Sequence, residues 1–143
     1  MAAPNTEPVF SRVADIQWAD SIVTANNTID ITTGTSYLVF TADATNGGYV
    51  KNARVKVNPS QNTAATVVRF WVNNGLTTGT ATNSAMIGEL GLPATTTSAS
   101  APQADFDYPL NFAMPPGYRL YVTVGTAPGG TSELMVIVFG GKY

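Results

Sequence analysis

Two carboxylates offer the first place to look for chemistry. Asp105 and Asp107 stand two apart in DFDYPLNF, Asp105–Phe112, where Phe106, Tyr108 and Leu110 alternate with them. On an extended strand that spacing puts both on one face, with Cα atoms about 6.5–7 Å apart. Carboxyl pairs at such separations act as acid and base in glycoside hydrolysis, and carboxylates also hold Ca²⁺. Here no third carboxylate stands nearby in the chain, and no cation-loop pattern frames the pair. The plainer reading is two solvated charges at a strand edge, where Pro109 also belongs. The expectation is a protein that is not an enzyme and has no catalytic, metal or cofactor site.

Two other groupings invite a functional reading. Lys51, Arg54 and Lys56 could dock an acidic partner, but an ordinary solvated strand face needs no such explanation. Trp18, Trp71, Tyr121 and Tyr143 could build a sugar-stacking platform, a core, or a subunit interface. The interface is the reading favoured here.

Composition narrows the classes. The 143 residues suit one domain with its own core. Charged residues make up 11%, against about 25% in an average protein. Thr, Ser, Asn and Gly take their place, and β-branched Thr suits a pleated, half-buried surface. Cysteine and histidine are both absent, which removes disulfides, thiolate or imidazole metal sites and histidine acid–base chemistry. A net charge of −2 argues against nucleic acid as a partner, because that affinity rests on Lys and Arg contacts to phosphate. MAAPNTEPVF lacks the basic and apolar regions of a signal peptide. The longest apolar run, Leu134–Phe139, is far short of the ~20 residues that span a bilayer. No membrane partner and synthesis in a cytoplasm are therefore expected.

The elements that must position these residues read as strands. In Ala65–Gly75, ATVVRFWVNNG, Val68, Phe70 and Val72 share one face, and Arg69, Trp71 and Asn73 the other. Further strands are read over Thr28–Thr33, Ser36–Ala42, Tyr49–Asn58, Ala85–Leu92, Asp105–Phe112, Tyr118–Gly125 and Leu134–Phe139, with turn residues between them. About eight short strands and no convincing helix predict an all-β, two-sheet, jelly-roll-like antiparallel sandwich, with an Ig-like sandwich as the alternative. Residues 1–18, with Pro4 and Pro8, read as an extended arm on a 19–143 domain. The rival is that Val9–Trp18 pairs over Leu134–Phe139 in the same subunit.

Leu134–Phe139 lacks polar alternation, so both of its faces should be covered. The outward Trp71 makes the same demand. A homo-oligomer, with a trimer favoured, would supply the cover. The residues expected at oligomer or capsid interfaces are Phe10, Trp18, Arg69, Trp71, Tyr121, Met135, Ile137 and Tyr143, with Phe10 as the arm's anchor.

Several stretches together resemble a family of small phage proteins encoded among head genes. They are LVFTADATNGGYVKNARVKV (Leu38–Val57), TVVRFWVNNG (Thr66–Gly75), IGELGLPATT (Ile87–Thr96), YPLNFAMPPGYRLYVTVGT (Tyr108–Thr126) and FGGKY (Phe139–Tyr143). The likeness runs from about Thr28 to the end and departs at Lys142, where an acidic residue is expected. It implies a jelly-roll-like decoration or cement protein on the outer capsid of a virion, with the major capsid protein and its own copies as partners. A carbohydrate-binding or host-recognition module of a tail fibre is the alternative.

Overall fold

The computed structural model describes residues 11–57, 62–129 and 133–143. Eight strands follow one another: β1 (Val13–Ile22), β2 (Tyr37–Thr41), β3 (Gly48–Val57), β4 (Thr66–Asn73), β5 (Ser84–Leu92), β6 (Phe106–Met114), β7 (Arg119–Val124) and β8 (Leu134–Lys142). Among the described residues the helical content is one 3₁₀ turn, Ala81–Asn83. The strands form two four-stranded antiparallel sheets, ordered β1-β8-β3-β6 and β2-β7-β4-β5. Pairing is nested: β1 with β8, β2 with β7, β3 with β6 and β4 with β5. That is the jelly-roll arrangement, not the seven- or nine-stranded order of an Ig-like sandwich.

Period-two patterning decides which side chains enter the sandwich. Val55 of β3, Val68 and Phe70 of β4, Leu120, Val122 and Val124 of β7, and Val136 and Val138 of β8 are fully buried between the sheets. The β5–β6 side is closed by a ring stack that crosses from one sheet to the other. Phe70 and Tyr108 lie with centroids 4.6 Å apart and planes 13° from parallel. The Tyr108 hydroxyl reaches Ile87 O at 3.3 Å, through space that opens because residue 88 is glycine. A Cβ there would overlap the Tyr108 ring and hydroxyl.

Two sequence expectations are corrected. Thr28–Thr33 is a loop, not a strand. Asn26, 1% exposed, donates its amide to Asp30 O and Thr33 O at 2.8 and 2.9 Å, and accepts from the N–H and hydroxyl of Thr28. Asp30 Oδ1 then accepts from the N–H groups of Thr32 and Thr33, at 2.7 and 2.8 Å. Side chains thus satisfy backbone groups that a strand would have paired. The arm expected over residues 1–18 is corrected in its last part. Val13–Trp18 belongs to β1 and pairs with Lys142–Ile137 of β8 in the same chain, as the rival reading proposed. Residues 1–10, Phe10 among them, lie outside the described residues.

Candidate functional site

The strand β1 turns its two largest central apolar residues outward. Asp15, Gln17 and Ala19 point in, while Ile16 and Trp18 point to solvent, 51% and 62% exposed. The cause is the neighbour that β1 meets. The strand β2 is the edge of the other sheet, so the free side of Thr41 needs partners. Gln17 supplies both: Nε2 donates to Thr41 O at 2.9 Å, and Oε1 accepts from Thr41 N at 2.9 Å. One amide side chain thereby does the work of a further strand. In register beside β1, Trp18 faces Ile137 and Ile16 faces Phe139 of β8. Met135 shares that outer row of β8, and all three β8 residues are half-buried. The β1–β8 half of this sheet face is therefore an apolar patch.

The β3–β6 half of the same face is charged and self-compensated. Arg54 holds Asp107 through two bonds, Nε to Oδ1 at 2.8 Å and Nη2 to Oδ2 at 2.9 Å. Lys56 Nζ donates to Asp105 Oδ1 at 2.7 Å, and Arg54 Nη1 stands 3.6 Å from Asp105 Oδ2. The Lys56 hydrogen bond, then the Arg54 charge, hold the Asp105 carboxyl below its ordinary range. The Arg54 hydrogen bond does the same for Asp107. Carboxyls held ionised by bound cations are poor proton donors, so the geometry favours a surface ion-pair network over an acid–base pair. Lys51 stays exposed outside the network.

The outer face of the other sheet carries the remaining described candidates, save Tyr143. One row crosses all four strands: Leu38 pairs with Tyr121, Tyr121 with Trp71, and Trp71 with Met86. Trp71 is only 8% exposed, and its indole N–H donates to Thr123 Oγ1 at 3.1 Å. Its cover comes from its own chain, so Trp71 alone does not require a second subunit. In the next row Arg69 pairs with Glu89, Nε to Oε1 at 2.7 Å. Leu38 and Met86 are each 45% exposed.

The eight expected interface residues thus divide. Trp18, Met135 and Ile137 gather on one sheet face. Arg69, Trp71 and Tyr121 gather on the opposite side of the sandwich. Tyr143, half-buried, follows the end of β8. Sequence reading missed Ile16, Phe139, Leu38 and Met86. The signal was the shared parity of Ile16 and Trp18, which becomes legible only once Val9–Trp18 is taken as a strand.

No protein-family model matches this chain, and no curated protein matches it. One solved structure, titled "Structure of infectious bursal disease virus Gx strain", aligns over 97% of this chain and 36% of its own, at 12% identity and a TM-score of 0.30. This chain therefore spans about a third of that one's length. So loose a superposition carries no function across. No helix among the described residues is long and apolar enough to cross a membrane.

Proposed function

We propose that the protein is a structural component of a virion: a decoration protein that sits on the outer surface of a phage head and is not an enzyme. The observation that carries this reading is the apolar half-face of Ile16, Trp18, Ile137 and Phe139 beside a charged half already neutralised within the chain. Large apolar patches with a polar rim mark association surfaces. A charge-poor β-sandwich and the head-protein resemblance of Leu38–Val57 and Tyr108–Thr126 point the same way. The mechanism is mechanical. A protein that binds the assembled shell and not its separated subunits stabilises the shell by linkage, and several attachment points raise avidity without new contacts at each.

The working state in this reading is a homo-oligomer, a trimer, in which copies cover one another's Trp18, Met135 and Ile137. The assembled trimer then contacts the major capsid protein. Locating the protein in density of the intact particle tests the role, and sedimentation of the purified chain tests the oligomer. Three copies clustered on the outer shell are expected. A particle without bound protein, together with saturable glycan binding by the purified chain, would transfer the reading to a host-recognition module with Trp18 as its stacking platform.

A further inference from the structure

One row crosses the whole outer face of the first sheet. Trp18 of β1 pairs in register with Ile137 of β8, Ile137 with Arg54 of β3, and Arg54 with Asp107 of β6. Arg54 reaches toward β6, away from β1, and donates from Nε and Nη2 to Asp107 at 2.8 and 2.9 Å. Its Nη1 stands 3.6 Å from Asp105 Oδ2. A guanidinium aims its donors outward in its own plane, and here carboxylates stand along that plane on two sides. A further acid would meet occupied donors and two like charges. The faces of the guanidinium are the remaining approach, and the side chain is 37% exposed. A flat aromatic ring suits such a face, by stacking and by the attraction of a cation to the ring quadrupole.

The chain carries such a ring. Among the exposed large apolar side chains of the described residues, Trp18 is the aromatic one, at 62%. Within one copy Ile137 stands between Trp18 and Arg54, two strand spacings of about 4.8 Å each separate their backbones, and Arg54 leans the other way. A second copy removes that obstacle. The strands β1 and β3 both run antiparallel to β8, so they point in the same direction. A rotation about an axis parallel to them keeps each row at its own height and brings the β1 end of one row to the β3 end of the next. Such a head-to-tail contact, repeated by a three-fold rotation, closes a ring.

We infer that Trp18 of one copy stacks on the guanidinium of Arg54 in the next copy. The ion-pair cluster of β3 and β6 is then the seat for a neighbour's β1, and the charged half of the face belongs to the contact. The occupant is a second copy of this chain because the exposed ring and the open cation complement each other at one height of one face. With rows kept in line, Ile16 lies beside Asn52 of the next copy, since both pair with Phe139 within their own chain. The inference rests on the oligomer reading given above and adds the orientation of the contact.

The test is sedimentation equilibrium of the full chain, with Trp18→Leu, Arg54→Gln and the two combined, each checked for folding by urea unfolding. The wild type should assemble. Each single variant should weaken assembly by about threefold to thirtyfold per contact. The combined variant should be weaker than Trp18→Leu by no more than about twofold, because both changes remove the same contact. The chain holds no cysteine, so an Ile16→Cys chain mixed with an Asn52→Cys chain and a short bismaleimide reports the orientation directly. Cross-links should join the two kinds of chain in preference to two Ile16→Cys chains. A wild type that stays monomeric overturns the oligomer reading and this inference with it. The inference alone is overturned if the wild type assembles but Arg54→Gln assembles equally well, if the two losses simply add, or if Ile16→Cys chains link mainly to each other.

Discussion

Trp18→Ala separates interface from core. The side chain is 62% exposed in the single chain, and a Trp buries about 150–250 Å² when fully covered. Roughly 90–155 Å² therefore remains to be hidden by a partner, and the rest already lies against β8. At about 25 cal/mol per Å² the hidden share is worth about 2–4 kcal/mol of association, a loss of about thirtyfold to several hundredfold. The share already covered contributes about 1–2 kcal/mol to folding, an upper estimate because unfolded chains bury some apolar surface too. Two measurements on one variant distinguish these terms. Sedimentation equilibrium and binding to protein-stripped particles report association, while urea unfolding reports stability. The expected result is a folded chain, slightly less stable, that dissociates at concentrations where the wild type is assembled. A variant that unfolds more easily yet sediments and binds particles like the wild type would refute the assignment of this face as an interface.

Gly88→Ala should destabilise the sandwich by about 2–4 kcal/mol in urea unfolding, the cost of overpacking plus the displaced Phe70–Tyr108 stack. The loss should shrink in a Tyr108→Ala background, where the clash is gone. Asn26→Ala should release the 26–35 loop, seen as faster amide exchange at Thr32 and Thr33, and lower stability by about 1–3 kcal/mol, because the Asn26 side chain is buried and the partly buried backbone groups it bonds lose their partner. Asp105 and Asp107 have depressed folded pKa values, so their stabilising effect is present above the unfolded value near 3.8 and fades as pH falls through the folded ones. Asp105→Asn with Asp107→Asn should accordingly flatten the acid limb of the stability profile, with little change in stability at neutral pH or in particle binding.

What the sequence determined by itself was the set of strands with strict alternation. In β3, β4 and β7 the burial of Val55, Phe70 and Val122 follows from a period of two, because a pleated strand has no other way to segregate apolar from polar side chains. The absence of cysteine and histidine and the scarcity of charge likewise bounded the chemistry before any fold was known. Only the tertiary structure decided three other matters. Ile29 and Ile31 alternate like a strand, yet the segment is a loop, because buried Asn26 and the Asp30 carboxylate satisfy its backbone from the side. Asp105 and Asp107 read in the chain as two solvated edge charges, and only the fold shows that β3 brings Arg54 and Lys56 beside them from some fifty positions away. Trp71 looks exposed until Tyr121 and Met86 close in from β7 and β5, while Trp18 stays open because β1 lies at a sheet edge. Each of these depends on which strand becomes the neighbour, and neighbours are set by nested long-range pairing that no local window of sequence contains.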